Sequence, residues 1–406
     1  MQLEIASLYR EHYGRILASL IRAIGNFELA EDALQDAFAA AVEQWPREGT
    51  PKNPAAWIVS TARHKAIDRA RRQSWFGARR DEIQRLIEFE MSSESNDDGD
   101  SFPDERLRLI FTCCHPAINR EAQIALSLRT LCGLTTEEIA HAFVTPPATM
   151  AQRIVRAQRK IRTAGIPYVV PSGDALPDRL ESVMAVIYLV FNEGYRASSG
   201  DAVVRKDLCA EAIRLARILV ALMPAQSEAR ALMALMLLHD SRRDTRADAD
   251  GDLILLEDQD RARWDHHQID EGLTLVDEAP SGPYAIQAAI SAVHAEAAQA
   301  SGTDWAQIVV LYDVLLSFGA SPIVELNQAA AVAMRDSPER GLELIDALLA
   351  RGELATYHLA HSARADLLRR LGQTDAALAA YATALKLTTQ EPERRFIERR
   401  MAALRS

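Results

Sequence analysis

Two clusters of cationic side chains carry the clearest chemical potential in this sequence. From Lys52 to Arg80 there are eight basic residues against a single acid, Asp68. From Ala148 to Arg162 there are five basic residues and no acid. In the first cluster, helical spacing puts Trp57, Ile58, Thr61, Ala62, Ala66 and Ile67 toward a core, with Arg63, Lys65, Arg69 and Arg72 facing outward. In the second, Arg153, Arg156 and Lys160 recur at intervals of three and four while Ile154 and Ile161 face the other way. A cationic helix face suits phosphates and, beside a polar loop such as the one holding Asn53, unpaired bases. A solvated charged face is the blander reading of either cluster alone.

The net charge of −11 does not oppose polyanion binding, because it is unevenly placed. Residues 1–165 hold 22 basic and 22 acidic side chains, so the whole excess of acid falls on residues 166–406. Local basic patches matter more to a phosphate backbone than the total does.

Other chemistries find less support. Phe111-Thr112-Cys113-Cys114-His115-Pro116 invites a metal reading, but adjacent Cys-Cys-His lacks the spacing of zinc ligands. Packing of small buried cysteines is expected there instead. Asn192, Glu193, Tyr195, Asp258, Arg261 and Trp264 could line a polar pocket, with structural hydrogen bonding the favoured alternative. No nucleophile–base pair stands out in the C-terminal half, so the chain is expected to be neither an enzyme nor a cofactor or metal protein. The four cysteines, Cys113, Cys114, Cys132 and Cys209, show no secreted-scaffold spacing, so reduced thiols in the cytoplasm are expected. The opening MQLEIASLYREHYGRIL has no apolar signal core, and no stretch is apolar enough to span a membrane.

The elements that must position these residues are helical. Apolar residues make up 48% and charged residues 25%, with only 18 Gly and 16 Pro in 406 residues. That composition predicts an all-α protein of two to four domains. Helices are expected over 3–24, 29–45 and 55–73, with a turn-rich loop at 46–54. Residues 92–103 (SSESNDDGDSFP) read as an acidic linker. Helices resume at Glu105, and Gly133 ends the segment 122–131. Thr135 or Thr136 then caps a short helix over 137–143. Thr145 followed by Pro146 predicts the cap and first residue of a final helix reaching Arg162. Short helix, tight turn and basic helix make a helix-turn-helix layout, whose N-terminal part enters the major groove. Beyond the Pro/Gly punctuation at 165–173 the chain is Ala/Leu-rich, with a charged break at 240–252. Ala365, Gly372, Ala377, Tyr381 and Ala384 fall at tetratricopeptide spacings, with a weaker copy at Ala329, Gly341 and Ile345 and a possible further start at Ala295 and Gly302.

Three motifs carry a resemblance. The segment 29–45 (LAEDALQDAFAAAVEQW), the helix start Asn53-Pro54-Ala55-Ala56-Trp57 and Ala62-Arg63…Ala66-Ile67-Asp68…Arg71-Arg72 resemble region two of RNA polymerase sigma factors of the extracytoplasmic-function type. That resemblance implies that Asp32 and Gln35, with Phe38 packing on the same helix, dock on the polymerase clamp helices. It also implies that Asn53, Trp57, Arg63, Lys65, Arg69 and Arg72 serve capture of the −10 element. His64 stands where Asn is common, and the role of that position is open. Residues 121–162 resemble region four, which reads the −35 element and meets the polymerase flap. There Thr149, Gln152, Arg153, Arg156 and Lys160 fall on DNA-facing positions, with Arg153 a phosphate contact. Ala151 stands where many members carry Arg. Phe191–Tyr195, Arg205–Leu208, Asp258–Arg261 and the terminal repeat resemble the extension of a sigma subgroup with a C-terminal tetratricopeptide-like domain, a site for a regulatory protein or ligand.

The implied organisation is region two over 1–75 and a linker over 76–104, where Glu94, Asp97, Asp98 and Asp100 would repel stray DNA. Region four follows over 105–167, a helical extension over 175–285 and repeats over 286–406. The competing reading is a dimeric helix-turn-helix regulator with a repeat sensor domain, which would bind duplex DNA unaided.

Overall fold

The computed structural model describes residues 2–406 except 25, 75–102, 132, 144, 172–174, 197–203, 205, 280 and the terminal Ser406. It is all-α, and among the described residues the only strand-like feature is an isolated bridge between Ala247 and Leu253. The expected acidic linker and Cys132 lie outside the described residues. Backbone contacts divide the chain into two compact units, Met1–Leu189 and Val190–Ser406.

The first unit opens with α1 (Gln2–Ile24), α2 (Phe27–Glu48) and α3 (Pro54–Ser74). Asn26 starts α2 by accepting a hydrogen bond from the Leu29 amide at 3.1 Å. Gly49 ends it at φ +89°, a conformation that glycine adopts without strain. Leu17, Leu34, Ala37 and Ile58 are fully buried where the three helices meet. α4 (Pro103–Cys113), α5 (Arg120–Thr130), α6 (Thr136–Ala142) and α7 (Pro147–Thr163) follow, and α8 (Ala175–Tyr195) contains the division between units. α1 packs on α4 and α5 as well as on α2 and α3, and α2 also meets α7. The approach of α1 to α5 is close: a Cβ on Gly14 would lie 2.9 Å from the Leu131 carbonyl oxygen.

The second unit contains α9 (Lys206–Leu222), α10 (Ser227–Asp240), α11 (His266–Asp277), α12 (Pro283–Glu296), α13 (Trp305–Ser317), α14 (Pro322–Arg335), α15 (Pro338–Ala350), α16 (His358–Arg370), α17 (Thr374–Leu387) and α18 (Glu391–Arg405). α12 packs chiefly on α10, and from α13 onward each helix packs chiefly on its neighbours in sequence. Small residues sit where these helices touch: Ala329, Ala365, Ala377 and Ala384 are all buried, and Tyr381 fills the gap between Ala365 and Ile397. Gly372 turns the chain from α16 to α17 at φ +70°. A Cβ on Gly341 would meet the Ala333 methyl at 2.3 Å. Gly341→Ala is therefore expected to lower stability by about 1–3 kcal/mol through overpacking. That exceeds the roughly 1 kcal/mol which alanine gains over glycine in a helix. Thermal unfolding checks this, and a raised midpoint would contradict it.

Candidate nucleic-acid interface

α2 and α3 present one face between them. On α2, Leu29, Ala33, Leu34, Ala37, Ala41 and Trp45 are buried, leaving Asp32, Gln35 and Asp36 half-exposed. Phe38 is only 5% exposed and meets Tyr9 edge-on, with ring centroids 4.7 Å apart. It is a core side chain, so it acts on that surface only by fixing α2. Arg69 of α3 reaches across to α2, where it pairs with Asp32 and with Asp36 at 2.8 Å. The expected outward cation is thus tied to the acids of the neighbouring helix.

The rest of α3 sorts cleanly. Ile58, Ala62, Ala66 and Ile67 are buried, Lys65 and His64 are exposed, and Arg63 is half-buried. Trp57 is half-buried edge-on against Trp45, with ring centroids 5.4 Å apart. Asn53 is exposed and its side chain accepts the Ala56 amide at 3.1 Å, so it starts α3 as its cap. Arg72 lies on α3, but its side chain is outside the described residues.

α6 and α7 form the short helix, turn and longer helix that the spacing implies. The turn is shifted by one residue: Pro146 occupies the cap position and Pro147 begins α7, while the Thr145 hydroxyl donates to the Phe143 carbonyl. Met150, Ile154, Ala157 and Ile161 pack inward. Thr149, Gln152, Arg156 and Lys160 are exposed, and together with Arg153 they line a concavity whose far wall is Ala117–Ala122. Arg153 pairs with Glu121 at 3.0 Å.

The other flank of α7 meets α2. Gln158 donates to Glu31, and Arg162 pairs with Glu28. Glu31 is 4% exposed, and it also accepts from Tyr13 at 3.4 Å and from Gln35 at 3.2 Å, with Arg129 at 3.5 Å. Sequence spacing places Glu31 on a polar flank beside Asp32; its partners at 129 and 158 leave no local signal.

Burial raises the Glu31 carboxyl above its ordinary value of 4.5, and the Arg129 guanidinium only partly offsets this. The folded state therefore holds this proton more tightly than the unfolded chain does. The contribution to stability is complete below the ordinary value and is lost as pH rises through the raised one. Glu31→Gln removes that slope. Relative to the parent protein, the variant is expected to gain stability as pH rises from about 4 to 7. Urea midpoints across that range check it, and parallel curves would contradict it.

The cysteine motif is a packing feature in this structure. Cys113 and Cys114 are buried, with their sulfurs 3.0 Å from the Thr130 hydroxyl and 3.6 Å from the Ser127 hydroxyl. Burial pushes the Cys114 thiol up to about 11 and Cys113 higher still, so both remain protonated. The His115 ring accepts the Ala117 amide of its own loop.

In the second unit, Arg261, Trp264 and Tyr195 of the expected polar pocket make structural contacts. Arg261 donates to the His294 and Ala297 carbonyls, both at 2.6 Å, and lies over Trp264. Tyr195 accepts from Arg242 at 2.9 Å, and the Arg246 guanidinium sits 3.7 Å above its ring. Asp258 is exposed. Among the described residues no helix is long and apolar enough to cross a membrane.

With this geometry in place, the comparisons assign the N-terminal module. Residues 8–76, which span most of α1 and all of α2 and α3, match the family described as sigma-70 region 2. Those residues thus form a sigma-70 region 2 module, which supports a sigma-factor role for the chain. Residues 179–280 match a family of unknown function, DUF6596. An uncharacterized protein of Rhizobium meliloti (strain 1021) is 43% identical over 387 residues, covering 94% of this chain and 91% of its own length. The chain belongs to one family with that rhizobial protein.

Proposed function

We propose that this protein is a sigma factor of the extracytoplasmic-function type, which directs core RNA polymerase to a specific set of promoters and carries its own regulatory extension. The region-2 match together with a second helix bearing an exposed basic face in the same compact unit supports this reading most strongly. In it, Asp32 and Gln35 on α2 dock on the clamp helices. Trp57, Arg63, Lys65 and Arg72 on α3 follow the displaced strand of the −10 element, and Asn53 holds the start of that helix. Extruding a base from the stack costs a few kcal/mol, and stacking and phosphate contacts offset it. Thr149, Gln152, Arg156 and Lys160 face the −35 major groove, with Arg153 at its phosphates. The tetratricopeptide-like helical array of the second unit receives a regulatory partner, and no catalytic step is assigned to the chain.

The contact of α7 with α2 gives the proposal a mechanism. Glu28 and Glu31 hold the flank of the −35 helix against the helix that docks on polymerase, so this contact couples the two surfaces while leaving both exposed. Purified core polymerase supplied with this protein should initiate at promoters that core alone ignores. Failure to initiate, by both the full chain and residues 1–189, would overturn the reading.

A further inference from the structure

A trough on the helical array of the second unit already holds a peptide, and it is the chain's own. Residues 251–258 form a strap beside α14 and α16, bridged to Ala247 at Leu253 and closing in a short 3-10 turn over Leu256–Asp258. Its start is fixed by a short hairpin, in which the Ile254 amide donates to the Arg246 carbonyl at 3.0 Å and the Asp248 amide donates to the Asp252 carbonyl at 3.0 Å. Its two ends are clasped through carboxylates. Asp252 pairs with Arg395 at 2.6 Å and with Arg399, both on α18, and Glu257 pairs with Arg370 of α16 at 3.5 Å. Between these acids lie four aliphatic residues, Leu253, Ile254, Leu255 and Leu256.

The strap underfills its seat. Cavities of about 700 and 340 Å³ border it, and both are lined by Leu255 of the strap and by Asn327, Ala330, Ala363 and Asp366 of the floor. Leu253, Leu255 and Leu256 stay only half-buried. A tethered segment stays in place despite a loose fit because its effective concentration is in the millimolar range. A separate segment that filled the cavities would bury more apolar surface and so could displace it.

We propose that this trough is a docking site for a partner polypeptide presenting a short segment of about four aliphatic residues between two carboxylates, and that the strap occupies it until such a partner arrives. The charge pattern sets the occupant: Arg395 and Arg399 guard one end and Arg370 the other, so an acidic–aliphatic–acidic segment fits and a basic one does not. Short peptides are bound in this manner, with pockets for side chains giving specificity. The inference concerns the second unit alone and stands whether or not the first unit acts as a sigma factor.

The test uses the full chain and a fluorescent peptide of residues 250–259 (DGDLILLEDQ), with binding read by anisotropy. The strap is released by Asp252→Asn with Glu257→Gln. A second release, Leu255→Ser, leaves both charges in place. Both released proteins, checked for helix content, should bind the peptide at least about tenfold more tightly than the parent. Adding Arg395→Ala with Arg399→Ala to Leu255→Ser should abolish that gain, and a peptide with Asp252→Lys and Glu257→Lys should not bind. Equal affinity for parent and released proteins, or binding that survives loss of both arginines, would overturn the proposal.

Discussion

Replacing Asp32 and Gln35 together with alanine should lower affinity for core RNA polymerase by about 10- to 100-fold, roughly 1.4 kcal/mol for each factor of ten. Both side chains stand half-exposed on α2, while the residues that hold the helix in place lie on its buried face. Asp32 also pairs with Arg69, so its removal touches α3. Arg69 keeps Asp36 at 2.8 Å, and α3 therefore keeps its orientation. Asp32 is 49% exposed, and ion pairs so open to solvent contribute about 0–1 kcal/mol. The thermal midpoint should consequently move little while polymerase affinity falls. Titration of labelled protein against core polymerase checks this, and an unchanged dissociation constant would remove α2 from the docking surface.

The second large effect concerns α7. Gln152→Ala with Arg156→Ala should cost about 1–3 kcal/mol of −35 discrimination for each base no longer read. Both side chains are exposed: Gln152 lies in the N-terminal half of the helix, the part that enters a major groove, and Arg156 one turn beyond it on the same face. Arg153 differs, because Glu121 already holds it at 3.0 Å, and its removal should weaken all promoters alike. Transcription from a panel of −35 variants separates the cases. If Arg156→Ala weakens every sequence equally and lowers the salt slope by about one, it touches phosphate.

The helices and both basic faces are legible in the sequence because each is set by local periodicity and local punctuation. Ile154 and Ile161 fall inward at their spacing, and Gly372 turns the chain by a conformation glycine adopts readily; α2 instead runs past the expected end at Trp45, through Pro46 to Glu48, before Gly49 ends it. The start of α7 lies one residue later than its spacing predicts, because Pro146-Pro147 offers two candidates for the first turn. The resemblance places Asn53 at the −10 strand, and the structure adds that its side chain caps α3.

What stays hidden is non-local. Glu31 gathers Tyr13, Arg129 and Gln158 from three other helices, and nothing within a turn of residue 31 announces them. Phe38 sits with Asp32 and Gln35 in the motif, yet it points into the aromatic cluster with Tyr9. The strap at 251–258 begins inside a stretch that reads only as a charged break. Its role emerges once Arg370, Arg395 and Arg399, more than a hundred residues away, close on its carboxylates.

The most direct measurement is a footprint of promoter DNA with the protein alone, with core polymerase alone and with both. The two together should protect the −10 and −35 elements at once and open the −10 strands, while neither alone protects either element. Protection of duplex DNA by the protein without polymerase, unchanged when polymerase is added, would contradict the account and identify an ordinary helix-turn-helix regulator.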